Sequence, residues 1–494
     1  MVKTVVTNGN GHPATVVRCL LDHPRGAIEG RQESSEGAAP IISSCTQRIS
    51  PERAAAMVTQ RRATDPGWFS LRSPEGIRIT AWDPLLTLRP EPWGCSAVND
   101  AGTTLLSCHG QSAAQALALC WNMVRKRSRS NDAGSGNPPG PILVGVVGFE
   151  AQDPGTWWPG HGGAWLAVAR TTVLQTPQGC WAIDSRLDRS AEPEPSPPAS
   201  LESLQPPIQG QGRMAALDDQ GNWRENVDEA RRRIHLGLLD KVVLARRQVI
   251  HLSRAPDPDA LQRQLADSHP DCYAYCIGGT HAFFGASPEL LVAKQGLRIR
   301  SRPLAGSIGR TRQAGADEAR GQRLLHNPKD RYEHEIVVRA IAEALSGICT
   351  DLRCDQTPSV MKLESIMHLG TNIEARLSQD LSALDMMALL HPTPAVAGSP
   401  LLPALATIKE LERFPRGWYA GTVGWCDARG DGQWALALRC GLLKGDRIEI
   451  FAGAGIMADS ESKAEWREVE AKMQAVKRAL AMVMGRPGSG MTSA

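Results

Sequence analysis

The run Ala282-Phe283-Phe284-Gly285-Ala286-Ser287-Pro288-Glu289-Leu290-Leu291-Val292 places one acid where a strand sequence would carry none. Ala282 to Gly285 reads as an apolar strand. Pro288 has no N–H to give a ladder, so pairing stops there and resumes at Leu290. Glu289 is therefore held on an irregular piece of backbone between two buried segments. Local sequence alone leaves two readings, an edge-strand glutamate beside a proline turn or a carboxyl kept inside for use.

The 494 residues are 42% hydrophobic and 22% charged, which permits one large domain or two smaller ones. Net charge is only +3, and the one dense basic run, Arg125-Lys126-Arg127-Ser128-Arg129, leads into Ser, Asn, Gly and Pro, the pattern of a solvated loop. No nucleic-acid partner is implied. The twelve cysteines form no C-x-x-C pair, which argues against a zinc ribbon or a disulfide scaffold. No apolar run is long enough to span a bilayer, and Asp22, Glu29, Glu33 and Glu36 argue against a cleaved organellar peptide. The expectation is a soluble, cytoplasmic protein without membrane contact.

Residues 191–212 are too rich in proline to pack as helix or sheet and mark a boundary or a long loop. Before them lie strand-like pieces such as Ile142–Phe149 and Trp165–Ala169; after them helices and strands alternate less regularly than a doubly wound fold requires. Residues 221–238 read as a helix leading into the β-branched run after Lys241. Asn327-Pro328 is a helix start, with Asn as cap and Pro in the first turn, of a helix reaching about Ile348. Residues 462–484 form another, with Trp466, Val469, Met473, Val476, Leu480 and Val483 on one face.

Two of these helices carry acids on or beside their apolar faces. Glu333 shares a ridge with Val337 and Ile341, and an acid there is costly unless something pairs with it. Glu465 and Glu468 fall on one flank of the last helix and could converge on one cation. Oxygen ligands given singly from separate helices suit Mg²⁺. The alternatives are local: Ser462-Lys463-Ala464-Glu465 fits a capping box, and Glu333 could pair with His334 or Arg331. Lys241 is either a strand-start lysine with its ammonium in solvent or, if burial or a neighbouring cation weakens its hold on the proton, a base. His368, taken alone, reads as a structural histidine.

F-G-A-S-P-E-L-L (284–291) followed by R-P-L-A-G-S (302–307) resembles the signature of the chorismate-utilising enzymes, which include isochorismate, salicylate, anthranilate and aminodeoxychorismate synthases. The likeness is specific over 215–485 and weak over 50–190. It implies an α+β fold, a single large domain of β-sheets sandwiched between helices. The expected parts are an N-terminal extension (1–45), a strand-rich part (46–190), the Pro-rich loop (191–212), the catalytic part (213–486) and a tail (487–494). By position the resemblance implies that Lys241 activates water for attack at C2 of chorismate and that Glu289, its pKa raised by an apolar surround, protonates the departing C4 hydroxyl. K-D-R-Y-E-H-E (329–335) and E-W-R-E (465–468) resemble the magnesium segments, with Glu333 and Glu468 as ligands and Glu465 and Asp330 close by. Arg439 and Tyr419 would hold the enolpyruvyl carboxylate. Gly453 and Gly455 would offer backbone N–H groups, and Gly306, Ser307, His368 and Thr371 complete the substrate site.

Within the family, Lys241 stands where ammonia-using members typically carry glutamine, and Ala305 where aminodeoxychorismate synthases carry a nucleophilic lysine. H-P-T-P-A (391–395) resembles isochorismate synthases, because salicylate synthases usually have threonine at Ala395. The implied enzyme is a Mg²⁺-dependent isochorismate synthase, a monomer needing no glutaminase subunit, with A-V-A-G (395–398) resembling the menaquinone and phylloquinone pathway more than siderophore assembly. Salicylate synthase and a non-catalytic chorismate-binding homologue are the alternatives.

Overall fold

Strands from both halves of the chain interleave, so the Pro-rich stretch does not separate two cores. Ile142–Val147 pairs with Thr422–Asp427, and Trp68–Arg72 pairs with Tyr273–Gly278. The computed structural model describes residues 6–7, 13–14, 41–62, 68–91, 94–130, 138, 140–150, 163–188, 220–278, 281–311, 313–485 and 491–492. The chain divides into two units, Met1–Ala38 and Ala39–Ala494. In the first, Val6–Thr7 pairs antiparallel with Pro13–Ala14. The expected loop at 191–212 and most of the expected extension and tail lie outside the described residues.

In the larger unit most described strands join one network that closes on itself and is antiparallel at nearly every pairing. Its elements, in chain order, include β1 (Gly94–Asn99), β2 (Thr104–His109), helix α1 (Ala113–Lys126), β3 (Lys241–Leu252), β4 (Ala282–Ser287) and β5 (Leu290–Gln295). Next come β6 (Leu304–Gly309), α2 (Pro328–Ser346), β7 (Ile366–Gly370), α3 (Ala383–Leu390), β8 (Arg447–Ile456) and α4 (Ser462–Met484). β6 and β7 belong to a separate three-stranded sheet with Ser359–Lys362. The result is the sheet-rich α+β domain that the resemblance implied, with Trp121, Trp434, Tyr275, Phe69, Phe283, Phe284 and Phe451 fully buried in its core.

Local chemistry explains the elements that carry the site. Val242, Val243 and Leu244 are buried on both faces of β3, which suits a run without polar alternation. Asn327 caps α2 by accepting from the N–H of Lys329 (2.9 Å) and Asp330 (3.4 Å), with Pro328 in the first turn. Helix α4 spans the predicted 462–484, burying Val469, Met473, Val476 and Leu480, while Trp466 is only partly covered and receives the Arg246 guanidinium over its ring. The capping box does not form: the cap is Glu461, with no side-chain bond. Among the described residues no helix is long and apolar enough to cross a membrane.

Candidate active site

The interruption at Pro288-Glu289 falls between β4 and β5, as Pro288 requires. Pairing is restored by the Glu289 carbonyl, which accepts from the N–H of Leu436 (3.1 Å), while the side chain turns inward and is 5% exposed. Its Oε1 accepts from the N–H of Leu304 (3.3 Å), the first residue of β6. Burial pushes the Glu289 carboxyl up to about 7, against the opposing pull of the Leu304 N–H and of Lys241, Lys472 and Arg439. This acid holds its proton near neutrality.

Lys241 opens β3 and is 1% exposed, so the solvent-facing alternative does not hold. Its Nζ lies 2.9 Å from Glu333 Oε1 on α2. The partner of Glu333 is thus this lysine, 92 positions away, rather than Arg331, while His334 donates to or accepts from Thr371 (2.7 Å). Burial and then the charge of Lys241 lower the His334 pKa to about 4, leaving a neutral ring. Gly455 makes the lysine–glutamate contact possible. A Cβ built on it would lie 2.3 Å from Glu333 Oε1 and 2.9 Å from Lys241 Cε.

The same cavity, about 670 Å³ with its open mouth, is lined by Lys241, Glu289, Glu333 and Glu468. Gly306, Ser307, His368, Ala395, Tyr419, Arg439, Gly453 and Gly455 lie on its walls as well. Two of the expected residues stand behind the wall: Thr371 holds His334, and Glu465 holds Lys329 at 3.1 Å. The expected use of the glycine-rich strand changes too. β8 is a regular strand paired with β3, and it is the Gly453 carbonyl that is engaged, accepting from Lys472 Nζ at 2.8 Å.

Arg439 is 8% exposed and sits at φ 49°, a left-handed conformation that a non-glycine residue adopts at some cost. Its Nη2 donates to His368 Nε2 at 2.7 Å, so the His368 proton sits on Nδ1, facing the Gly306 carbonyl (3.2 Å) and Ser307 Oγ (3.0 Å). Burial, then Arg439 and Lys472, hold the His368 pKa well below the ordinary range. The histidine orients the arginine. Gly306, at φ 69°, is the extra residue of a bulge in β6 that brings the backbone against Asp330.

The acids of α2 and α4 form one patch. Asp330 is raised to about 7 by burial and then by Glu333, Glu468 and Glu465, with Lys329 opposing. Glu465 is raised by burial and by Glu468, with Lys329 opposing. Glu468 is lowered, because Lys472 (2.6 Å) and Ser307 outweigh the effect of its burial. Among the described residues no three such groups converge on one cation position as they stand; a lysine holds each glutamate.

Two parts of the site carry no signal that single residues display. Lys472 lies one helical turn after Glu468, a spacing that the sequence does show. Arg416 is 4% exposed and donates in a fork to Glu412 (2.8 and 2.5 Å), to the Val396 carbonyl (2.7 Å) and to the Val243 carbonyl (2.7 Å). Glu412 also accepts from the N–H of Ala245 at 2.7 Å. This buried pair ties the strand of Lys241 to the Ala395-Val396 wall without lining the cavity itself.

The family model described as chorismate binding enzyme matches residues 94–481. The chain belongs to the chorismate-binding enzymes. Among curated relatives, the salicylate biosynthesis isochorismate synthase of Pseudomonas aeruginosa is 33% identical over 80% of this chain and 83% of its own. Isochorismate synthase EntC of Escherichia coli is 34% identical over 67% of this chain and 79% of its own. The chorismate-binding fold is also that of the menaquinone-specific isochorismate synthase MenF of Escherichia coli, with a TM-score of 0.69 at 22% identity over 90% of this chain and 95% of that one.

Proposed function

We propose that this chorismate-binding enzyme is an isochorismate synthase. The observation that carries the reading is a buried lysine and a buried glutamic acid, its pKa raised by burial to about 7, on the walls of one cavity. In its unprotonated form Lys241 takes a proton from a water as that water's oxygen bonds to C2 of chorismate, and Glu333 holds the ammonium that forms. Glu289 gives its proton to the C4 hydroxyl as the C4–O bond breaks, so one water enters and one leaves. Arg439, held by His368 and aided by Tyr419, receives a substrate carboxylate, and Lys472 adds a second positive charge at the same wall.

The patch of Asp330, Glu333, Glu465 and Glu468 supports a Mg²⁺ requirement. Its donors are all oxygens on two helices, and Asp330 is buried beside Glu333, Glu465 and Glu468, whose charge Lys329 only partly offsets. Glu333 and Glu468 would hold the ion, with Glu465 and Asp330 beside them, and a bound Mg²⁺ would neutralise a carboxylate of the substrate. Ala395 and Val396 on the wall supply no hydroxyl to assist loss of the enolpyruvyl group, which supports isochorismate rather than salicylate as product. We place the product in quinone synthesis on the A-V-A-G resemblance. Chromatography of the reaction with chorismate and Mg²⁺ tests the assignment: isochorismate with little pyruvate is expected, and stoichiometric salicylate and pyruvate would contradict it.

A further inference from the structure

Far along the chain from the cavity residues, β1, β2 and α1 bring three thiols together. Cys95 on β1 stands directly opposite Cys108 on β2, and the neighbouring pair, Ser96 and Ser107, meet through their hydroxyls at 2.9 Å. Cys120 lies on α1, which packs on both strands, and each of the three thiols acts electrostatically on the other two. Cys95 and Cys120 are fully buried, whereas Cys108 is half-buried on a strand that, among the described residues, pairs only with β1. Cys108 Sγ also reaches the Ala116 carbonyl at 3.1 Å, one turn before Cys120 on the same helix. The bonds from Cys120 and Cys95 favour negative charge on Cys108, and the Ala116 carbonyl opposes it.

We propose that this cluster is an oxidation site at which hydrogen peroxide converts Cys108 and Cys120 into a disulfide. The half-buried Cys108 sulfur attacks the peroxide, the O–O bond breaks, and Cys108 becomes a sulfenic acid with release of water. Cys120 then displaces the sulfenic oxygen as a second water, forming the S–S bond; two sulfurs have given the two electrons that reduce one peroxide. Cys120 is the partner rather than Cys95 for a geometric reason. Directly opposed residues on antiparallel strands keep their Cβ atoms about 4.5–5.5 Å apart, at or beyond the upper end of the about 3.5–4.5 Å of a disulfide. Strand register fixes the first pair, while a helix packed on the sheet is free of that spacing.

The experiment uses the full-length protein, reduced, freed of reductant, treated with hydrogen peroxide and blocked with iodoacetamide. No lysine or arginine lies between Glu91 and Val124, so chymotrypsin rather than trypsin must separate the three cysteines before mass spectrometry. The expected result is a Cys108–Cys120 cross-linked pair, two hydrogens lighter than the separate peptides, with Cys95 alkylated. In Cys120→Ser the cross-link is lost and Cys108 is trapped by dimedone as a sulfenic acid. Cys95→Ser keeps the cross-link. A Cys95–Cys108 bond, or Cys108 carried to sulfinic acid with no cross-link, or Cys108 reacting no faster than the exposed Cys45, would each overturn the proposal. The wild-type map needs no variant to fold.

Discussion

Glu289 and the site glutamates of α2 and α4 are all carboxyls taken out of water, yet the fold gives them different partners. Glu289 meets a single backbone N–H and lifts its pKa to about 7, so its proton is stored for use. Glu333, Glu465 and Glu468 each meet a lysine within 3.1 Å. A charged acid in a low-dielectric place must be paired, and an unpaired one keeps its proton. One wall therefore offers a proton donor and the other a set of anions able to hold a cation.

The comparison breaks first on the paired side. Glu333→Gln or Glu468→Gln should abolish turnover, with excess EDTA silencing the wild type and Mg²⁺ restoring it; undiminished activity in metal-free buffer would remove the cation from the account. Glutamine is chosen because alanine at Glu333 would strand the buried Lys241 ammonium. On the other wall, Lys241→Ala and Glu289→Gln should each lower kcat on the order of 10²-fold or more, with KM changing far less.

Arg416→Lys keeps the charge but not the fork, so β3 and the Ala395-Val396 wall lose their common anchor. A fall on the order of tenfold in kcat/KM is expected, and an unchanged value would make the pair purely structural. The smallest effect is on stability. Because the folded Glu289 pKa lies above its ordinary value of 4.5, the folded state binds the extra proton between pH 4.5 and about 7 and loses stability across that window as pH rises. Glu289→Gln should therefore match the wild type in denaturant midpoint below pH 4.5 and exceed it above pH 7, by on the order of 3 kcal/mol. The activity that depends on the protonated acid falls over the same rise.

Local signals in the sequence reached far into this fold. The Asn327 cap, the span of α4 and the break at Pro288 each follow from residues within a turn or two, and the structure places them there. What neighbours cannot encode is long-range pairing. Nothing near Lys241 announces Glu333, nothing near Glu465 announces Lys329, and Ser462 next to Glu465 suggests a capping box that tertiary pairing overrides. Arg416 was invisible for the same reason: its four acceptors come from three separate segments. The glycines of 451–456 were legible as a place of close approach, but that the Glu333 and Lys241 side chains approach Gly455 depends on the register of β3 against β8.

The most direct test of the two-wall account is the reaction run briefly in ¹⁸O-labelled water with chorismate and Mg²⁺. If Lys241 delivers water to C2 while Glu289 sends the C4 hydroxyl away, the first isochorismate formed carries one ¹⁸O, at C2, and Glu289→Gln forms labelled product at a strongly reduced rate. Unlabelled isochorismate would mean that the substrate's own hydroxyl migrates, and the lysine and the acid would lose the roles given to them here.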